Sequence, residues 1–140
     1  MAESNEKKAS CLCGATRITA KNVTHRVAAC HCSTCRKWGG GPLMAVDCGA
    51  EVALNGEENV SIFNSSKWAE RGFCGRCGTH LFYRVKGSGQ YILPVGLFGD
   101  DDGFVFNQQL FIDEKPSYYR FANETDEMTG AEFFAKYSST

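Results

Sequence analysis

The stretch RGFCGRCGT, residues 71–79, decides how this chain folds. Its two cysteines, Cys74 and Cys77, are separated by two residues, and a glycine follows the second. Thiolates at this spacing can hold one metal ion from a tight turn, because the following glycine can take the left-handed backbone conformation that a side chain opposes. Such a turn supplies only two ligands, whereas structural zinc takes four. The motif therefore predicts that two further ligands come from elsewhere in the chain.

The pair Cys11 and Cys13 is the simplest source of the other two ligands. In an extended segment, residues i and i+2 point to the same face, so both thiols can reach one ion. We therefore predict a closed structural zinc site formed by Cys11, Cys13, Cys74 and Cys77. Zinc of this kind contributes on the order of 10 kcal/mol or more to folding. The alternative is that these are four unconnected buried thiols.

Three more cysteines lie close together in CHCSTCRK, residues 30–37. Cys30 and Cys32 share a face of an extended segment, and Cys35 can turn back toward them. Catalytic zinc has three protein ligands and an open fourth position, so we predict a second zinc site of this open kind. Two alternatives remain: Cys48 closes the site as a fourth ligand, or the cysteines form a metal-free redox cluster.

Several residues beside this second group are candidates for binding or catalysis. Arg36 and Lys37 could bind an anionic ligand, although they could also only neutralise the charge of the thiolates. His31 could transfer a proton near neutral pH, although such a histidine is more often simply hydrogen bonded. Trp38 could form a wall of the pocket or could pack in the core.

Length and composition narrow the class of protein. The 140 residues fit one domain, and we predict a flexible tail over residues 1–9 followed by a single domain over residues 10–140. The net charge of −1 and the absence of a basic block argue against a nucleic-acid partner. We see no apolar signal segment or membrane span and expect a soluble cytoplasmic protein. In a reducing compartment, eight cysteines indicate metal ligands or reactive thiols rather than disulfides.

Short apolar runs separated by Gly, Asn and Asp predict a mostly β fold. The predicted strands are Ala15–Ala20, His25–Cys30, Leu43–Asp47, Glu51–Leu54, Ser61–Asn64, Thr79–Lys86, Tyr91–Val95 and Phe104–Ile112. Turns are predicted at Gly87–Gln90 and Gly99–Gly103. A short helix is predicted at Gly130–Lys136, with Thr129 capping and Glu132 three residues later. A helical turn could follow Cys32, and Gly39–Gly41 would end it.

Taken together, these motifs resemble the glutathione-dependent formaldehyde-activating enzyme family, which also includes centromere protein V. The matching segments, in family order, are CLCG at Cys11–Gly14, CHCSTCRK at Cys30–Lys37, Ser65–Ser66, RGFCGRCGT at Arg71–Thr79 and LFY at Leu81–Tyr83. IDEKPSYY at Ile112–Tyr119 resembles the closing segment of the family.

The resemblance implies a β-tent zinc-binding fold with structural zinc on the first four cysteines and a more labile zinc on Cys30, Cys32 and Cys35. It also implies a carbon–sulfur lyase that forms S-(hydroxymethyl)glutathione, with a small-molecule thiol and an aldehyde as its partners. Because a fold hosts more than one function, a non-catalytic zinc-stabilised binding module and a thiol redox or metal sensor remain as alternatives.

Overall fold

The computed structural model describes residues 5–99 and 103–137, which form a mostly β structure. In chain order, the strands are β1 (Lys7–Ser10), β2 (Arg17–Ala20), β3 (Arg26–Cys30), β4 (Leu43–Asp47), β5 (Val52–Asn55), β6 (Val60–Phe63), β7 (Ala69–Cys74), β8 (His80–Val85), β9 (Tyr91–Pro94), β10 (Val105–Leu110) and β11 (Asp126–Met128). The α-helices are α1 (Ser33–Gly39) and α2 (Gly130–Tyr137), and short 3-10 helices lie at Glu57–Asn59, Val95–Phe98 and Ile112–Glu114.

The chain groups into two compact units. One unit comprises Met1–His25 and Val46–Gly103, and the other comprises Arg26–Ala45 and Phe104–Thr140. The prediction of one domain over residues 10–140 stays a prediction. Of the predicted turn at Gly99–Gly103, Asp100–Asp102 lie outside the described residues. Neither α-helix in the described part of the chain has the length and apolar character needed to cross a membrane.

In the first unit, β1, β2 and β5 form a small antiparallel sheet with β2 in the centre. Strand β1 includes Lys7, Lys8 and Ala9, which the sequence analysis had placed in the N-terminal tail. Pairing with β2 and burial of Ala9 order this polar segment, since a terminal strand held in a sheet is tied down. The structured part of the chain therefore begins earlier than predicted.

Strands β6 to β9 form an antiparallel meander in the same unit. The sequence pattern did not predict β7, because Glu70 and Gly72 are poor strand formers. The structure shows why a glycine is required there: a Cβ on Gly72 would lie 2.3 Å from Cζ of the buried Phe82 ring on β8. Close packing of the Gly72 backbone against the Phe82 ring therefore favours a strand here, although glycine itself is a poor strand former.

In the second unit, β10 lies between β11 and β3 and runs parallel to both, and β4 pairs antiparallel with β3. Helix α1 follows β3 and ends at Gly39, and its C-cap Gly40 adopts the left-handed conformation. The predicted C-terminal helix is confirmed with its capping box: Glu132 N–H donates to Thr129 Oγ1 at 3.1 Å, and Thr129 N–H donates to a Glu132 carboxylate oxygen at 2.8 Å.

Candidate metal centres

The first unit brings together the four cysteines that the spacing argument paired. The Sγ atoms of this four-cysteine cluster (Cys11, Cys13, Cys74 and Cys77) all lie within 4.8 Å of one another. The Sγ–Sγ distance is 3.7 Å for Cys11 and Cys13, and 3.8 Å for Cys13 and Cys74. Four sulfurs about 2.3 Å from a tetrahedral zinc are separated by about 3.8 Å, so this donor set fits zinc.

Two tight turns place these thiols. Cys74 is the last residue of β7, and Cys77 lies in the turn that follows. Gly78 has a φ of 80° and donates its N–H to Cys74 O at 2.7 Å, which closes the turn. The left-handed glycine expected after the second cysteine is therefore present. On the other segment, Gly14 N–H donates to Cys11 O at 3.1 Å and forms the matching turn.

Thr79 links the two turns of the four-cysteine cluster. Leu12 N–H donates to Thr79 Oγ1 at 3.0 Å, and the Thr79 hydroxyl lies 3.1 Å from Cys77 Sγ. Hydrogen bonds from the Thr79 hydroxyl and its backbone N–H lower the pKa of Cys77 to about 5. Thr16 N–H donates to Cys11 Sγ at 3.3 Å. These donors favour thiolates, which are the form that binds metal.

The second unit contains a three-cysteine cluster (Cys30, Cys32 and Cys35), whose Sγ atoms also lie within 4.8 Å of one another. Cys30 ends β3, Cys32 caps the N-terminus of α1, and Cys35 is buried in the first helical turn. Cys32 Sγ accepts the Cys35 N–H at 3.3 Å. Hydrogen bonding to Cys32 and Cys35, together with burial, raises the pKa of Cys30. A bound divalent cation would instead lower the pKa of these thiols. Three converging thiols therefore fit a four-coordinate metal ion that has one coordination position open.

Cys48 belongs to neither cluster among the described residues. Its side chain is fully buried, and its thiol donates to Val46 O at 3.7 Å. Burial raises the pKa of Cys48 to about 12, which keeps the thiol protonated at neutral pH. These properties are those of a small apolar core residue rather than a ligand.

His31 is fully buried, although its neighbours Cys30 and Cys32 belong to the cluster. Its Nδ1 lies 2.7 Å from the Tyr119 hydroxyl, and its Nε2 lies 2.7 Å from Gln109 Oε1. Both ring nitrogens are therefore hydrogen bonded to protein groups. This placement favours the hydrogen-bonded alternative for His31 over direct proton transfer to a substrate.

The three candidate binding residues lie in succession on α1 and point in different directions, because consecutive residues of a helix do not share a face. Arg36 is half-buried, and its Nε donates to His31 O at 2.9 Å. Lys37 is exposed. Trp38 lies three residues after Cys35 and therefore on the same side of the helix. Arg36 lies one helical turn after Cys32, whose backbone oxygen accepts the Arg36 N–H at 3.0 Å, so Arg36 and Trp38 are better placed than Lys37 with respect to the cluster.

Sequence reasoning missed several polar residues of these sites. Thr79, Glu114 and Tyr119 lie within segments that carried the family resemblance, so the resemblance was the available signal. Gln109 lies in β10 and Glu114 in a 3-10 helix, where Glu114 Oε1 accepts Ser33 N–H at 3.0 Å. No spacing rule connects Gln109 to the cysteines, because parallel pairing of β10 with the distant strand β3 brings it next to them.

Three comparisons place the chain among known proteins. A model of the family described as glutathione-dependent formaldehyde-activating enzyme matches residues 6–114. An uncharacterized lyase of Schizosaccharomyces pombe is 38% identical over 125 residues, which are 89% of this chain and 91% of the relative. A crystal structure of a Rhodobacter sphaeroides protein has a TM-score of 0.58 at 23% identity and covers 68% of this chain and 90% of its own. At that identity, the structural likeness concerns the fold alone.

Proposed function

The chain belongs to the glutathione-dependent formaldehyde-activating enzyme family, and from this premise we propose a lyase-like enzyme of thiol–aldehyde chemistry. Its reaction joins a small-molecule thiol, glutathione or a similar compound, to formaldehyde or another small aldehyde. The observation that carries the proposal is the three-cysteine cluster, in which three sulfur atoms lie within 4.8 Å of one another and no other cysteine of the described residues joins them. The four-cysteine cluster would serve as a structural site, which leaves the three-cysteine cluster available for chemistry.

Zinc is the metal that both donor sets suit, because thiolates at tetrahedral spacing select it among the common divalent ions of proteins. The four-cysteine cluster would hold one ion as a structural site. The three-cysteine cluster would hold a second. When bound there, zinc supplies an open coordination position and favours the ionised form of a thiol that occupies it.

The proposed reaction balances without an oxidant or reductant. The substrate sulfur forms a bond to the aldehyde carbon, the π electrons of the carbonyl move to oxygen, and the proton of the thiol ends on that oxygen. The reverse direction breaks the carbon–sulfur bond and is the lyase direction. Addition of thiols to formaldehyde is easy without a catalyst, so the protein contributes mainly binding and orientation.

Residues of α1 would supply that orientation. The Arg36 guanidinium, whose Nε donates to the backbone oxygen of His31 between Cys30 and Cys32, would pair with a carboxylate of a glutathione-like thiol. Lys37 adds a second positive charge on the exposed side of the helix. Trp38, on the same side of the helix as Cys35, would form an apolar wall. Each of these three roles is part of the proposal.

The test measures exchange between free aldehyde and thiol adduct at equilibrium, by magnetisation-transfer NMR with glutathione and formaldehyde. Zinc-loaded protein at stoichiometric concentration should raise the exchange rate in both directions. Cys32→Ser should remove the acceleration, because it removes one thiol of the open cluster. Cys48→Ala is the matched control, since it deletes a cysteine that lies in neither cluster, and it should keep the acceleration. An exchange rate equal to that of buffer alone would rule out the formaldehyde reaction.

The closeness of the three thiols also supports a second candidate, a redox-responsive cluster. Two neighbouring thiols could form a disulfide by giving two electrons and two protons to a peroxide. Differential alkylation and mass spectrometry after peroxide treatment separate the candidates. Reversible oxidation confined to the peptide that contains residues 30–35, without any acceleration of adduct exchange, would favour the sensor over the enzyme.

A further inference from the structure

A chain of hydrogen bonds passes through the buried His31 ring. Thr125 Oγ1 lies 2.8 Å from Gln109 Nε2, Gln109 Oε1 lies 2.7 Å from His31 Nε2, and His31 Nδ1 lies 2.7 Å from the Tyr119 hydroxyl. The ring also packs against Phe121, with 6.1 Å between ring centroids. Gln109 is itself buried, whereas Tyr119 and Thr125 are half-buried. The four residues therefore form one continuous network from the surface through the interior.

The hydrogen bond between Gln109 and Thr125 determines which groups of this network donate and which accept. The Gln109 amide nitrogen donates to Thr125, so the amide oxygen faces His31 and can only accept. His31 Nε2 must then carry the hydrogen. In the neutral ring Nδ1 is an acceptor, and the Tyr119 hydroxyl donates to it. Each group has one role, so the network fixes both the tautomer and the orientation of the ring.

The backbone on either side of the ring is held as well. His31 N–H donates to Leu110 O at 3.0 Å, and His31 O accepts from Arg36 Nε at 2.9 Å. His31 lies between Cys30 and Cys32 in the sequence, so rotation of its peptide groups would move both thiols. A site whose ligands come from one short segment depends on such supports for its geometry.

We propose that the network of Thr125, Gln109, His31 and Tyr119 positions the thiols of the three-cysteine cluster for metal binding. His31 is then a positioning residue that acts through the backbone of Cys30 and Cys32. Tyr119 and Thr125 lie beyond residue 114, where the family match ends, so part of the support for the site comes from outside the matched segment. The inference rests on the proposed function in one respect, which is that the cluster holds a metal.

The experiment compares Tyr119→Phe with Tyr118→Phe in the full-length protein. Both variants delete one tyrosine hydroxyl, but Tyr118 is 74% exposed and its hydroxyl is not part of the network. Thr125→Val is the second test variant, because it keeps the side-chain shape and removes the acceptor that orients Gln109. Each protein is loaded with cadmium, and NMR then gives separate resonances for sites with three and four sulfur ligands. Competition with a chelator yields an affinity for each site.

We expect Tyr119→Phe to weaken cadmium binding at the three-cysteine cluster about tenfold and to shift its resonance, because the buried Nδ1 loses its partner. The four-cysteine resonance should keep its shift and affinity, and Tyr118→Phe should match the unmodified protein at both sites. Thr125→Val should weaken the same site in the same direction, and it decides the question alone if Tyr119→Phe does not fold.

Two results would overturn the inference. One is an unchanged affinity and shift at the three-cysteine cluster, and the other is an equal weakening of both sites, which would indicate general loss of structure. A different result bears on the proposed function: if the unmodified protein holds no cadmium at the three-cysteine cluster, the open metal site itself is refuted. The two failures are therefore distinguishable in one data set.

Discussion

Replacing Gly72 with alanine tests the packing that sets β7 and, with it, Cys74 at the end of that strand. A Cβ at position 72 would lie 2.3, 2.5 and 2.8 Å from three atoms of the Phe82 ring. Non-bonded carbon atoms do not approach so closely, so the ring or the strand must move. The ring is 1% exposed and lies edge-on to Tyr91, with 4.9 Å between centroids, so it has little room.

The size of the effect follows from this lack of room. Overpacking a core by one methyl group costs about 1–3 kcal/mol, and three contacts under 3 Å indicate the upper end of that range. An unfolding entropy of about 2.1 cal/mol/K per residue gives about 0.3 kcal/mol/K for this chain, so a loss of about 3 kcal/mol lowers Tm by about 10 °C. We expect Gly72→Ala to show a decrease of this order.

The assay is thermal and urea unfolding of zinc-saturated protein, followed by circular dichroism. Gly96→Ala is the matched control in the same unit, since its added Cβ would meet no atom within 4 Å apart from its own chain neighbours and helix backbone, and it should change Tm little. In a Phe82→Leu background, Gly72→Ala should cost much less, because the ring that meets the methyl group is absent. If Gly72→Ala costs no more than Gly96→Ala, or costs the same in both backgrounds, the packing argument is wrong.

Three further predictions concern the cysteines, a histidine and a helix cap. Cys74→Ser should lower Tm far more than Cys32→Ser, because structural zinc contributes on the order of 10 kcal/mol to folding. Differential scanning fluorimetry combined with zinc analysis measures both decreases. Equal decreases would contradict the assignment of a structural role to the four-cysteine cluster alone. Burial lowers the pKa of His31 below its ordinary value of 6.5, so the unfolded chain takes up a proton that the folded protein does not. Stability should therefore fall as the pH drops below 6.5 and level off above it, and NMR should find the ring neutral where an ordinary histidine titrates. Thr129→Ala should cost about 1 kcal/mol in urea unfolding through loss of the capping box with Glu132, whereas no change would mean that α2 holds without its cap.

Cysteine spacing predicted which thiols meet in each cluster. The reason is that the spacing of ligands within a turn or an extended segment is a local property, and tetrahedral geometry then demands a partner for each incomplete pair. Cys11 and Cys74 are far apart in sequence, yet their meeting was predicted, because the turn at Cys74 and Cys77 supplies only two of four ligands and the pair Cys11 and Cys13 could supply the others. The same reasoning explains the predicted turn after Cys77, where Gly78 takes the left-handed conformation. Residue types and their spacing along the chain were therefore enough to predict both cysteine clusters and this turn.

Other features depend on contacts that sequence does not reveal locally. Strand β7 contains Glu70 and Gly72 and exists because of what packs on it, and β1 consists of polar residues that are ordered by pairing with β2. The burial of His31 depends on Gln109 and Tyr119, more than 70 residues away. Hydrophobic periodicity and strand propensity depend on residues that are close in sequence, so they cannot predict tertiary contacts of this kind.

The two clusters differ in how their geometry is fixed, and this difference bears on their roles. The four-cysteine cluster draws its thiols from two distant segments, so metal binding there would join parts of the fold and would be coupled to folding. The three-cysteine cluster draws its thiols from six consecutive residues, 30–35, so metal binding there would fix little of the chain beyond that segment. Loss of its metal should then leave the rest of the fold intact, which is what a site that exchanges ligands requires. A metal site built from one short segment, however, needs contacts from other parts of the chain to keep its geometry. The hydrogen bonds of His31 with Gln109 and Tyr119 provide such contacts. The hydrogen bond from Ser33 N–H to Glu114 provides another.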